Sequence, residues 1–164
     1  MIIANWKCNG SKKMIQDWSK HYKDTYIPFE NTFVGIAPPY IYVEQLINLI
    51  NVHGLDIQIG VQDIDISSGA RTGAISVDMI QDMECQFTIL GHSERRTIFD
   101  ESNESVSAKL NSVGNKVETI LFVGESAKEN NAKETRNVLK DQLSIVKGKV
   151  LSSSFSVAYE PVWA

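Results

Sequence analysis

Polar and ionisable side chains recur in this sequence at or just past the ends of its apolar runs: Asn5 and Lys7 at the end of 2–6, Gln62 and Asp63 after 55–61, His92 and Glu94 after 87–90, Glu125 after 119–123, and Glu160 after 155–159. Imidazole and carboxylate groups take up and release protons, and an ammonium group holds negative charge. The residue types therefore suit acid–base chemistry. The segment 87–96, Phe-Thr-Ile-Leu-Gly-His-Ser-Glu-Arg-Arg, carries this pattern most strongly, because a continuous apolar run stops at Gly91 and five polar or ionisable residues follow. Such a run reads as a strand buried on both faces, and ligands of α/β proteins sit beyond the carboxyl ends of their strands. His92 is the first candidate. Taken one at a time, His92 is equally a structural histidine, Glu160 a solvated carboxylate and Lys7 a surface cation, so residue types alone do not choose.

The elements that must position these groups alternate. Six strands are predicted, at 2–6, 33–37, 55–61, 87–90, 119–123 and 155–159. Between them Met14, Ile15, Trp18 and Tyr22, and then Val43, Leu46, Ile47 and Ile50, recur at helical spacing, the second stripe ending at Asn51 and Gly54. A Ser/Gly-rich loop at 66–73 leads to a short helix that Ser76 can cap. Asp100 or Ser102 opens a helix with Val106, Leu110 and Val113 on one face, ended by Asn115. One long polar helix with Val138, Leu139, Leu143 and Val146 inward precedes the sixth strand. Each helix is the crossover that parallel neighbours require, so the sheet is parallel. A doubly wound open sheet and a (β/α) barrel both fit. The polar residues favour the barrel, whose strand ends converge on one rim, and 5–10, Asn-Trp-Lys-Cys-Asn-Gly, is not the G-x-G-x-x-G turn of a dinucleotide-binding sheet.

Composition excludes other classes. With 43% apolar and 22% charged residues among 164, the chain is globular, and a formal net charge of -4 without a basic stripe argues against nucleic acid as a partner. No apolar run approaches membrane-spanning length and the N-terminus lacks a basic, cleavable leader, so a cytoplasmic location without membrane attachment is expected. Cys8 and Cys85 lack metal-ligand spacing and are expected to be reduced thiols.

Three motifs carry a family resemblance. Residues 5–7 (Asn-Trp-Lys), 89–96 (Ile-Leu-Gly-His-Ser-Glu-Arg-Arg) and 158–164 (Ala-Tyr-Glu-Pro-Val-Trp-Ala) resemble, in order and each after the expected strand, three signatures of the triosephosphate isomerases. Gln62 and 69–73 resemble that family's third loop, and Gly124 with Glu125 its fifth. The resemblance implies a (β/α)8 barrel of the TIM-barrel family, here one incomplete domain of about six βα units spanning 1–164. It implies interconversion of dihydroxyacetone phosphate and glyceraldehyde 3-phosphate through an enediolate, in glycolysis and gluconeogenesis, with no cofactor and no metal. Implied roles follow: Glu160 as base, His92 as neutral electrophile and proton carrier, Lys7 as cation facing substrate and enediolate, Asn5 orienting substrate and Lys7, and Glu94 placing Lys7 or relaying protons. Arg95 and Arg96 are assigned to ion pairing around the rim, Trp6 and Trp163 to packing. A homodimer is implied, with Thr72 reaching the neighbouring subunit's site and Cys8 at the interface.

Departures from the family pattern modify these expectations. Asp63 stands where Asn is usual, Arg71 where an aromatic or bulky residue is common, Ala74 where Glu is usual, and Phe122 where a small residue, usually Cys, precedes Val-Gly-Glu. The interface is therefore expected to be weaker or differently paired, and Phe122 either displaces Glu160 or is accommodated by its neighbours. A complete barrel has eight units in typically about 250 residues, so two strands, most of the lid and the phosphate-binding loops after strands seven and eight lie outside these 164 residues. The 164-residue chain alone is expected to be inactive. Two alternatives stand beside the isomerase: a catalytically dead truncated barrel serving as an interaction or assembly module, and another α/β enzyme that abstracts a proton beside a carbonyl.

Overall fold

A computed structural model describes residues 1–28 and 30–163, leaving Ala164, the last residue of the third motif, outside the described residues. Six parallel strands form one curled sheet: β1 (Ile2–Asn5), β2 (Val34–Ala37), β3 (Gln58–Val61), β4 (Phe87–Leu90), β5 (Glu118–Val123) and β6 (Ser156–Tyr159). Their spatial order is their chain order, with every adjacent pair parallel. A doubly wound sheet reverses its strand order at a switch point, so this order excludes that alternative and leaves the (β/α)8 barrel type, here six βα units.

Helices alternate with these strands: α1 (Lys12–Thr25), α2 (Val43–His53), α3 (Val77–Asp82), α4 (Ser93–Ile98), α5 (Asn103–Val113), α6 (Ala127–Asn131) and α7 (Thr135–Ser144). Local signals explain their starts. Ser11, Ser76 and Ser102 each accept a hydrogen bond from a first-turn amide, at 3.1, 3.4 and 3.2 Å, so Ser102 rather than Asp100 opens α5. Gly114 rather than Asn115 ends it. The expected long polar helix is two, because the chain turns at Lys133, whose φ is 60°. Of its expected inner face, Val138 and Leu139 are half-buried, but Leu143 is 37% exposed and Val146 lies past the helix. Gln142 is buried instead, bonding both the amide and carbonyl of Gly124.

Alternation along the strands divides the core. One face of the sheet packs Ile36, Ile59, Val61, Leu90, Leu121 and Val123 against the helices. The concave face collects Ala37, Phe87, Ile89 and Ile120, with Ile3, Phe33, Phe122 and Ala158 against them. Phe87 is fully buried at its centre, and Gly60 makes room for it, since a Cβ there would lie 2.5 Å from the ring. Cys8 is exposed and Cys85 buried, both free, and burial pushes the Cys85 thiol up to about 11. Among the described residues no helix is long and apolar enough to cross a membrane.

Candidate active site

The same alternation lifts polar side chains onto the rim. Asn5 follows Ile3 on the inward positions of β1, and Glu160 follows Ser156 and Ala158 on those of β6. Gln62 lies one step beyond β3, and its amide bonds the carbonyls of Ala37 and Lys7, each at 2.9 Å. This ties the loop after β1 to the ends of β2 and β3. Lys7 has a φ of 52°, a left-handed conformation costing a non-glycine residue about 1–2 kcal/mol. Its amide donates to Asn5 Oδ1 at 2.9 Å, and Gln62 holds its carbonyl, so the turn is fixed from both sides.

His92 ends the β4 segment and caps α4, an element the sequence pattern did not reveal because Ser93–Ile98 has no apolar stripe. It is 4% exposed, and the Glu94 amide donates to its Nδ1 at 3.2 Å. An amide can only donate, so Nδ1 is unprotonated and the ring is the neutral tautomer bearing its proton on Nε2. Glu94 Oε2 lies 3.6 Å from the same Nδ1, too far for a hydrogen bond, while its Oε1 is 2.9 Å from Lys7 Nζ. That hydrogen bond raises Lys7 above its ordinary value and keeps it cationic. Across the rim, His92 Nε2 lies 3.4 Å from Glu160 Oε2, to which Ser93 Oγ donates at 3.1 Å.

Asn5, Lys7, His92 and Glu94 thus line one cavity of about 210 Å³, with Cys8, Gln62 and Arg95, and Glu160 meets His92 at its edge. The larger neighbouring cavity, about 530 Å³, lies between the 64–75 loop and the 99–105 segment. Thr72 is exposed at its wall, away from the catalytic candidates. Arg71 pairs with Asp65 at 2.7 Å within that loop.

Three features were not legible in the motifs. Ser93 holds Glu160, although it is 67 residues distant in sequence. Glu125 is fully buried and accepts from Asn130 (2.9 Å), Tyr159 (3.0 Å), Trp163 (3.1 Å) and Thr135 (3.3 Å); the bond from Asn130 most of all, with those from Trp163 and Tyr159, holds its carboxylate at about 2 against the cost of burial. It anchors the chain on both sides of Glu160, so Trp163 does more than pack. Its position after Val123-Gly124 was the available signal. The third is a buried trio joined by half-buried Arg95: Lys109 Nζ reaches Asp63 at 2.6 Å and also Glu101, while Arg95 Nε lies 2.9 Å from Asp63 and 3.4 Å from Glu101. Arg95 thereby makes the rim ion pairs expected of it; Arg96 instead bonds the Gly91 carbonyl and Asn103.

Desolvation, opposed first by Lys109, pushes Asp63 from 3.8 to about 6. Since the folded state then holds this proton more tightly than the unfolded chain, its contribution to stability falls as pH rises from about 4 to about 6 and stays low above. Asp63→Asn removes that dependence. Relative to the parent, the variant is expected to gain up to about 3 kcal/mol of unfolding free energy between pH 4 and pH 7. Urea unfolding at both values checks this, and a difference independent of pH would refute it.

The sequence matches the family model described as triosephosphate isomerase over residues 1–164. It is 36% identical to the triosephosphate isomerase of Erwinia tasmaniensis over 171 aligned residues, covering 100% of this chain and 66% of that protein. The triosephosphate isomerase of Buchnera aphidicola subsp. Cinara cedri is 36% identical, with 100% and 67% covered, and that of Klebsiella pneumoniae 34%, with 100% and 66%. The chain therefore spans about two thirds of the length of these relatives.

Proposed function

The chain belongs to the triosephosphate isomerase family, and from that premise we propose that the natural protein interconverts dihydroxyacetone phosphate and glyceraldehyde 3-phosphate. The observation that carries the reading is the approach of a neutral imidazole to a carboxylate, His92 Nε2 to Glu160 Oε2 at 3.4 Å, with an ammonium group on the same rim. A proton on carbon beside a carbonyl is weakly acidic, so its removal needs a positioned base and a donor for the charge that develops on oxygen.

In this reading Glu160 takes the proton from one carbon and returns it to the next. Substrate replaces the Ser93 hydroxyl and His92 as the neighbour of its carboxylate. His92 donates Nε2–H to the carbonyl oxygen and, as that oxygen becomes an enediolate, passes a proton between the two oxygens. Pairing a carboxylate base with a neutral imidazole is the strategy established for this enzyme family. Lys7 faces the anion, Glu94 holds Lys7, and Asn5 orients Lys7 and substrate. Hydrogen moves between adjacent carbons with no net gain or loss of electrons, so the step needs no redox cofactor.

The reading extends to a homodimer in the cytoplasm, with Thr72 and Cys8 at the subunit contact; both are exposed, which suits that use. Coupled assay of the natural gene product should show isomerisation of both triose phosphates. Turnover of another carbonyl substrate with none of these would overturn it.

For the 164-residue polypeptide alone, negligible turnover and aggregation are expected. Among the described residues β1 and β6 end the sheet with one edge each unpaired, and Ile2, Val157 and Tyr159 are 58%, 47% and 54% exposed beside them. Light scattering and the same assay check this; a soluble, active monomer would refute it.

A further inference from the structure

Phe122 holds the last inward position of β5 that carries a side chain below the rim. The next inward residue, Gly124, has no room for one, since a Cβ there would lie 2.0 Å from the Glu160 carbonyl oxygen. The register pairs Phe122 with Ala158, whose methyl group leaves the lateral space to the ring. Phe122 packs on the concave-face cluster of Ala37, Phe87, Ile89 and Ile120 and presents its own ring to His92, with centroids 5.0 Å apart and planes inclined at 44°. Glu160 reaches Ser93 and His92 beside that ring.

The Glu94 amide fixes one edge of the imidazole, at Nδ1, and tilting about that hydrogen bond is opposed by the groups the ring packs against, Phe122 among them. Tilting is the motion that carries Nε2 away from Glu160. We propose that Phe122 is a positioning residue whose flat ring supports the His92 imidazole from below and so aims Nε2–H at the reacting oxygen. The inference rests on the isomerase reading for what Nε2–H is aimed at, but not for the support itself. A ring that merely fills space would be replaceable by any apolar side chain of similar bulk, whereas a flat support would not.

The test compares Phe122→Leu and Phe122→Ala with the parent in the natural gene product. The parent should give one sharp Nε2-bound proton resonance for His92 with acceptor-type nitrogen shift at Nδ1, slow to exchange with water. Both variants should broaden that resonance and speed its exchange at least about tenfold, and lower kcat by about ten- to hundredfold, since a small misplacement of a reacting group has effects of that size. KM should stay within about threefold, because the substrate's binding contacts are untouched. A Phe122→Leu protein with parental kcat and an unchanged imidazole resonance would reduce Phe122 to packing and overturn the proposal. If Phe122→Leu does not fold, Phe122→Met carries the same comparison with a flexible side chain of similar bulk. The imidazole spectrum is independent of turnover, so failure of the isomerase reading and failure of this one are separately visible.

Discussion

Glu160→Gln is expected to lower kcat of the natural protein by about 10²–10⁴-fold, the range supplied by a positioned general base. Glutamine keeps the length of the side chain and one oxygen, so the Ser93 hydroxyl retains an acceptor where it now finds Oε2 at 3.1 Å. What disappears is a group able to accept the carbon-bound proton. KM should therefore change little, a loss confined to the step at which charge develops. Glu160 is half-buried and ends a strand edge, so its substitution should leave the melting temperature near that of the parent. Activity within tenfold of the parent would remove Glu160 from the role of base and pass that role to another carboxylate on the rim. Glu94 is the first candidate, as the other carboxylate beside His92.

Lys7→Met is expected to lower kcat/KM by about 10²–10³-fold, the cost of deleting one charged donor from a site that stabilises a developing oxyanion. Unlike the loss at Glu160, this one should also raise KM, because the ammonium attracts the phosphate-bearing substrate before reaction as well as the enediolate during it. Stability should hardly move. The Lys7–Glu94 pair is 49% and 42% exposed, and pairs of that exposure contribute about 0–1 kcal/mol. The discriminating measurement is salt dependence. Long-range attraction of an anion weakens as ionic strength rises, so kcat/KM of the parent should fall with added salt and that of Lys7→Met should fall less. Parallel salt profiles would show that Lys7 does not draw the substrate in.

Both substitutions act on residues that were legible from the chain alone, and for a definable reason. A strand buried on both faces is a local apolar run, a helix start is a serine with its amides a few residues on, and the residues past each strand end share one rim once the strands are parallel. Asn5, Lys7, His92, Glu94 and Glu160 could therefore be named with a common location, and Ser76 could be assigned its cap. What stayed hidden has no local signature. Helix α4 lacks an apolar stripe because it lies at the rim, and the break at Lys133 rests on a left-handed turn by a residue type that does not announce one. Doubly wound and barrel arrangements both suited the pattern, and strand order separates them only once the sheet exists.

The sequence by itself determined the alternation of elements, the parallel sheet and the set of groups at its carboxyl rim, since each follows from local periodicity and from the helical crossover between successive strands. Only the tertiary structure decided which of those groups meet. Asp63 joins Lys109 across 46 residues and Ser93 joins Glu160 across 67. The curl of the sheet brings Phe122 beneath His92, and the Glu94 amide chooses the tautomer of that ring. Pairings of this kind depend on distances between strand ends, set by register and curvature, which no short stretch of sequence encodes.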